Sequence, residues 1–186
     1  MVISHLQETA KSLVAQLGLN RHPEGGYYVE TDRQKEVVGT PFVEDDPPRS
    51  LATAIYYLLG RESPNGYFHM NKSVTYHVHH QGRAEYVLIT PVPGGAPTVE
   101  RRVIGADVEN GETRLLIVGT GVWKMSRLLE ADVLDEAAGD KTGCLITEVV
   151  VPGFHWEDHA FLTREGLKEL MGDVEATELA RYVKDT

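Results

Sequence analysis

The sequence of 186 residues has little cysteine, a deficit of basic residues and no long apolar run. Its single cysteine, Cys144, excludes an intramolecular disulfide and a cysteine-rich zinc site. The 18 lysines and arginines against 28 aspartates and glutamates give a formal net charge of −10, which argues against nucleic-acid binding and a polybasic membrane surface. No segment approaches the roughly 20 apolar residues of a membrane span, and no secretion signal is evident. We therefore expect a cytoplasmic protein with neither nucleic acid nor a membrane as partner.

The chain is rich instead in short segments of β-branched and aromatic residues. They run from Tyr27 to about Val150 and are separated by glycine, proline, asparagine and aspartate. Many short strands with frequent turns predict an all-β barrel or sandwich of antiparallel strands. The length fits a single domain over residues 1–186.

Helices are predicted at both ends of the chain. Apolar residues at helical spacing from Ile3 to Leu17 predict an N-terminal helix, which Ser4 caps and Gly18 ends. Two short helices are predicted near the C-terminus, at about 163–171, with Thr163 as the cap, and at about 174–183. The acidic, proline-rich segment 39–49 is expected to be a solvated loop, with a lid as the alternative.

Three motifs occur in a fixed order along the chain: LGLNRHPEGGYYVETDR, then RSLATAIYYLL, then the Pro-Gly-Phe of Val151–Phe154. In this order they resemble a small, little-characterised family of bacterial and fungal cupins, and the resemblance extends from about residue 17 to 161. It implies a cupin fold, which is a jelly-roll or double-stranded β-helix barrel, with its core at about 27–161 and a pocket inside. It also implies a homodimer, formed by strand pairing or by exchange of an N-terminal strand.

The resemblance also assigns the positions that usually bind metal in cupins. Laid on this sequence without gaps, they fall on His69, Asn71, Thr75 and Lys124. Asparagine and threonine are weak ligands for borderline metals, and a lysine ammonium repels a cation. The usual metal site is therefore not expected, and we assign Asn71, Thr75 and Lys124 to substrate binding.

Six of the eight histidines lie in two clusters, at 69–80 and at 155–159. Side chains alternate across a strand, so His77 and His79 point into the barrel if Thr75 does, and His69 is expected to line the same pocket from a neighbouring strand. Imidazoles titrate near neutral pH and can move protons on a substrate. We favour such a metal-free pocket. The alternatives are a zinc, iron or manganese ion on His69, His77 and His79, and histidines that only form hydrogen bonds.

Other polar residues are assigned roles around this pocket. Glu30 is expected to orient a histidine or take a proton, and Arg49 to bind a substrate carboxylate, although both residues could instead pair with each other or pin strand ends. Tyr57 either offers its phenol to the cavity or packs in the core. His155 and His159 are expected to be surface or packing residues.

Together these features predict a small-molecule enzyme for proton transfer, of the isomerase, epimerase or lyase and cyclase type. One of His77 and His79 would remove a proton next to a carbonyl, while His69 or Tyr57 steadies the enolate oxygen. Metal-independent sugar epimerases of the cupin superfamily offer an analogy at the level of fold. The alternatives are a metal-dependent dioxygenase or hydrolase and a non-catalytic protein that binds a small organic ligand.

Overall fold

A computed structural model describes residues 8–40, 42 and 48–184. The predicted cap Ser4 and most of the segment 39–49 lie outside the described residues. Within these ranges the chain forms antiparallel strands with short helices at both ends. The strands are β1 (Asn20–Arg21), β2 (Tyr27–Arg33), β3 (Val37–Val38), β4 (Arg49–Ser50), β5 (Thr53–Gly60), β6 (His69–Asn71), β7 (Val74–Gly82), β8 (Ala84–Thr90), β9 (Thr98–Ile104), β10 (Leu115–Val118), β11 (Trp123–Arg127), β12 (Gly143–Val151) and β13 (His159–Phe161). The helices are α1 (Ala10–Leu17), α2 (Glu130–Leu134), α3 (Arg164–Met171) and α4 (Asp173–Leu179).

The strands form two main sheets. One has the order β1-β2-β5-β12-β7-β10, and the other has the order β13-β6-β11-β8-β9, while β3 and β4 form a separate pair. All neighbours in the two main sheets are antiparallel. The all-β prediction is confirmed, and the strand order is compatible with a jelly roll.

The helices follow the local signals of the sequence, with one difference. Helix α1 begins at Ala10, later than predicted, because Thr9 is its cap and accepts a hydrogen bond from the Ser12 amide. It ends as predicted at Gly18, which has the left-handed conformation (φ 65°) that glycine adopts without strain. Thr163 caps α3 as predicted. None of the described helices is long and apolar enough to cross a bilayer.

Apolar side chains fill one part of the space between the two sheets. This part of the core includes Leu59, Ala84, Ile104, Leu116 and Ile146, all of which are buried. Buried polar and charged side chains share the interior with them, and many of these come from β6, β7, β11 and β12. Such groups are costly to bury without partners, so their contacts identify the part of the interior that calls for a functional explanation.

Strand β7 sets the direction of its histidines. Thr75, His77 and His79 are buried, whereas the intervening residues are exposed or partly exposed, so the side chains alternate across the sheet. The register with β12 shifts only beyond His79, where Leu145 pairs with Gln81 and Ile146 with His79. This bulge lies too late in the strand to change the direction of His77 or His79.

Candidate active site

A lysine, a glutamate and a histidine from three strands meet inside the barrel. Glu148 of β12 lies directly opposite His77 of β7 in the strand register, and Lys124 of β11 reaches them from the facing sheet. Lys124 Nζ is 2.7 Å from Glu148 Oε1 and 2.9 Å from His77 Nε2, while His77 Nε2 is 2.9 Å from Glu148 Oε2. Lys124 also donates to Thr75 Oγ1 at 3.4 Å. We call Lys124, Glu148 and His77 the Lys124 cluster.

Electrostatics fix the charge of the Lys124 cluster. Burial alone would raise the pKa of Glu148, but the Lys124 ammonium and the His77 imidazole hold it well below its ordinary value. Burial, assisted by the charge of Lys124, lowers the pKa of His77. Near neutral pH the cluster therefore contains an ionised carboxylate beside a neutral imidazole. The Nε2 atom of that imidazole either donates to Glu148 or accepts from Lys124, according to its tautomer.

A second buried group surrounds Glu24. This residue lies in the turn between β1 and β2. The next residue, Gly25, has a φ of 92°, and a Cβ atom on it would collide with the carbonyl oxygen of Asn65. The two carboxylate oxygens of Glu24 lie 3.1 Å from His69 Nε2 and 2.8 Å from His159 Nε2. The ligand atoms of these three residues all lie within 4.8 Å of one another, so the group could hold a metal ion. We call Glu24, His69 and His159 the Glu24 cluster.

Burial and charge also shape the Glu24 cluster. Burial would raise the pKa of Glu24, but the nearby histidines lower it to about 2. Burial lowers the pKa of His69 to about 4. His22 helps to hold Glu24 in this turn, since its Nδ1 accepts a hydrogen bond from the backbone amide of Glu24 at 3.0 Å. The carboxylate of Glu24 is therefore ionised near neutral pH, while His69 is neutral.

A cavity of about 130 Å³ connects these two clusters with solvent. Its lining includes Glu24, Asn71 and Glu148, and its rim carries the half-exposed ion pair of Glu30 and Arg33. Next to it lies a smaller space of about 10 Å³, which is lined by buried residues and again includes Glu24 and Glu148. The two glutamates are therefore shared by the cavity and this smaller buried space. Larger clefts of about 260 and 480 Å³ lie elsewhere, and none of the histidines that the structure describes lines them.

The histidines predicted to share one pocket are only partly brought together. His69 and His77 both line the smaller space of about 10 Å³. Tyr57 lines it as well, and burial raises the pKa of its phenol. His79 points inward as well, but its Nε2 lies 2.7 Å from the carbonyl oxygen of Gly82, near the end of β7. His79 is not among the lining residues of either space. Thr75 is buried and contacts Lys124.

The other predicted residues have mixed positions. Asn71 lines the cavity, and its buried Oδ1 has no hydrogen-bond partner within the described part of the chain. Arg49 is buried away from the cavity lining, with its Nε 2.6 Å from Asp158 Oδ2, so it fixes the segment before β13. Glu30 forms two hydrogen bonds with Arg33 and contacts none of the pocket histidines. Of the two alternatives, a pair of Glu30 with Arg49 is not formed.

Sequence reasoning missed Glu24 and Glu148, and it treated His159 as a surface or packing residue without placing it beside His69. His159 lies opposite Asn71 in the β13–β6 register, and its buried ring stacks on His69 with centroids 5.4 Å apart, because β13 adds an edge strand to the sheet. Glu148 carried a signal, since it is the lone charge in an apolar strand from Gly143 to Val151. Glu24 carried none beyond its place in a glycine-rich turn. His155 is half exposed, as expected.

Comparison with known proteins agrees with this architecture. The family model described as Cupin superfamily (DUF985) matches residues 11–162. The chain is 40% identical over 178 residues to the uncharacterized protein YML079W of Saccharomyces cerevisiae, covering 91% of this chain and 84% of the yeast protein.

Two solved structures resemble the whole chain. A hypothetical protein from Leishmania major has a TM-score of 0.80 and 30% identity, with 96% of this chain and 100% of that chain covered. Protein SO0799 from Shewanella oneidensis has the same fold, with a TM-score of 0.76 and 22% identity over 96% of this chain and 99% of that one. The chain therefore belongs to the DUF985 family of the cupin superfamily.

Proposed function

We propose that the protein is an enzyme that moves a proton on a small organic substrate, in a reaction of the isomerase, epimerase or lyase and cyclase type. The observation that carries the proposal is the position of Glu148. Its carboxylate lines the open cavity and is held from behind by Lys124 and His77. A substrate in the cavity would thus meet an ionised base whose two oxygens are already oriented.

The cost of burying the Lys124 cluster supports a catalytic role. Burying two charges costs several kcal/mol for each ion, and their mutual attraction often does no more than offset that cost. Apolar residues would fill the same space with less penalty. Groups with strongly perturbed pKa values that face a cleft are typical of catalytic sites.

The geometry supports one sequence of events. Glu148 takes a proton from a carbon next to a carbonyl, and the electron pair of the C–H bond moves into the enolate. Asn71 lines the cavity, and its Oδ1, which has no hydrogen-bond partner among the described residues, accepts a hydrogen bond from the substrate. Return of the proton to the other face, or to a neighbouring carbon, completes an epimerisation or isomerisation. His77 and Lys124 act as positioning residues in this scheme, and Glu148 takes the role predicted for His77 or His79.

Solvent isotope exchange tests the proposal even where the product of the reaction is unidentified. Small 2-keto acids, aldoses and ketoses are first screened for binding by saturation-transfer NMR. Those that bind are incubated with the protein in D2O, and we expect at least one to lose the signal of a C–H group next to its carbonyl as deuterium enters. Ligands that bind but never exchange would contradict the proposal and favour the non-catalytic binder.

We also propose that two copies of the chain pair through the β10 edge of the six-stranded sheet, beside an apolar patch on its outer face. Tyr76 and Val78 of β7 and Leu115 and Ile117 of β10 are between 37% and 53% exposed and are neighbours across the strands. Within the described residues, β10 is the last strand of its sheet, so its outer edge is available to the same strand of a second copy. A twofold pairing of β10 would extend the sheet and bring the two apolar patches side by side.

Light scattering after gel filtration tests this homodimer. Wild type is expected to have twice the mass of one chain, whereas Ile117→Lys should shift to a single chain, because the pairing of β10 with its copy would bring the two introduced charges close together. Val99→Lys, an equivalent change at an exposed apolar residue of β9, is the control and should remain dimeric. A wild type of single-chain mass at micromolar concentrations would exclude the proposed pairing.

A further inference from the structure

We propose that the Glu24 cluster binds a divalent transition metal ion, with Glu24, His69 and His159 as its protein ligands. This site differs from the usual cupin positions, of which it includes only His69. It also differs from the set His69, His77 and His79 considered from the sequence. The inference does not rest on the proposed proton transfer, because its evidence lies in three other side chains.

The distances within the cluster fit a coordination sphere. A zinc ion lies about 2.0–2.1 Å from its nitrogen and oxygen ligands. Ligand atoms around such an ion are therefore about 2.8–3.4 Å apart when the angle between them is roughly 90–109°. Glu24 Oε2 lies 3.1 Å from His69 Nε2 and Glu24 Oε1 lies 2.8 Å from His159 Nε2, while one ligand atom from each of the three residues lies within 4.8 Å of the others, so an ion would draw the three side chains closer together.

The tautomer of His69 directs the lone pair of its Nε2 atom toward Glu24. The Nδ1 atom of this ring lies 2.8 Å from the carbonyl oxygen of Tyr67 and must donate its proton there, since a carbonyl only accepts. With the Nδ1 proton given to that carbonyl, the ring directs its Nε2 atom at a carboxylate oxygen of Glu24, and a cation between these two atoms satisfies both of them. A backbone carbonyl behind a ligating histidine is also the usual way in which proteins orient such a ligand.

Unmet hydrogen-bonding capacity points to the same position. The Nε2 atoms of His69 and His159 are buried, and neither forms a hydrogen bond of acceptable geometry within the described residues, although both lie close to Glu24. Their side chains are only 8% and 3% exposed. Buried polar atoms without partners are rare and call for an explanation such as a bound ion.

The charge balance of the interior favours a cation. Glu24 and Glu148 both line the cavity, but the Lys124 ammonium is engaged by Glu148. Among the described residues, Glu24 forms ion pairs only with histidines. Within the described part of the chain, the Glu24 carboxylate therefore has no lysine or arginine to balance it, and an anionic cavity attracts a cation.

The donor set indicates the class of metal. Two imidazoles and one carboxylate suit zinc, iron(II) or manganese(II) better than calcium or magnesium, which prefer oxygen ligands. Three protein ligands leave coordination positions open, as in catalytic sites. Because Glu24 lines the cavity, those positions can take water or an oxygen of a molecule bound there.

Cobalt titration tests the site without reference to activity. Untagged full-length protein is stripped with a chelator and titrated with Co²⁺, and we expect visible absorption bands that saturate at one ion per chain. Glu24→Gln and His159→Gln should each weaken the apparent affinity by more than the roughly 10–100-fold that loss of an outer-shell partner costs. His155→Gln, which removes a half-exposed imidazole from the same segment, is the matched control and should bind as wild type does.

Two further measurements keep the test decisive if a variant fails to fold. Wild-type protein with ¹⁵N-labelled histidine should show two strongly shifted imidazoles when Co²⁺ binds, and His77→Gln should retain the ion. Failure of the wild type to bind any transition metal at micromolar concentration would overturn the inference. The Glu24 carboxylate and the two histidines would then share a proton instead of a metal ion. Loss of the ion in His77→Gln would move the site to the set considered from the sequence. Isotope exchange is measured separately, so either proposal can fail without the other.

Discussion

Lys124→Met is expected to lower the free energy of unfolding by about 3–5 kcal/mol, because it leaves the buried carboxylate of Glu148 without its cation. Lys124 is only 2% exposed and Glu148 only 9%, so solvent can replace only a small part of the lost contact. The flexible methionine fills nearly the same volume, which separates the electrostatic effect from a cavity. The measurement is equilibrium urea unfolding, with the slope compared between variants.

A second variant and a control make this result specific. Lys124→Met combined with Glu148→Gln removes both charges while the amide still contacts His77, and most of the lost stability should return. Arg102→Met removes an exposed ion pair with Glu100 on β9, where the cost should stay below about 1 kcal/mol. Equal costs for Lys124→Met and Arg102→Met would mean that the Lys124 cluster contributes no more than a surface pair.

The fold could be predicted from the sequence because its signals are local. The alternation in β7, the glycine that ends α1 and the threonine that caps α3 each depend on neighbouring residues only. Strand alternation also indicates correctly that His77 and His79 share a face. It does not say how far along the barrel each one lies, and two residues of strand separate them by about 6.7 Å. His79 therefore lies beyond the cavity.

The site could not be predicted in the same way because distant segments build it. Glu24 and His159 are far apart in sequence, and only the approach of the turn before β2 to β13 places them beside His69. No periodicity encodes such a contact. Glu148 is different, since a single glutamate inside an apolar strand is expensive unless a partner is present. Attention to that residue would have led to Lys124 as its partner.

Glu148→Gln is expected to lower the rate of isotope exchange by about 10²–10⁴-fold, the effect typical of a lost general base. The amide has the same shape as the carboxylate but cannot take a proton from carbon. Binding of the ligand should change little, so the loss appears in the rate per bound molecule. Dissociation constants and exchange rates measured by NMR on the same samples separate the two quantities.

His80→Gln provides the control for this experiment. His80 lies on the outer face of β7, where its Nε2 contacts Thr147 Oγ1, and it does not line the cavity. The rate of isotope exchange in the His80→Gln variant should match that of wild type. If Glu148→Gln instead weakened binding and left the rate per bound ligand unchanged, Glu148 would be a substrate-binding residue, and the base would have to be sought elsewhere.

The parts of the barrel that carry the two clusters differ in how freely they can change during evolution. His69 lies on a strand paired on both sides, but Glu24 belongs to a turn and His159 to the edge strand β13. Single substitutions at those two places can remove or replace a prospective ligand while the pairing of the main sheets stays intact. The Lys124 cluster joins inner strands of both sheets, so its charges have to change together. Among homologues with the same barrel, the residues that bind the ion should therefore change more readily than the buried lysine–glutamate pair.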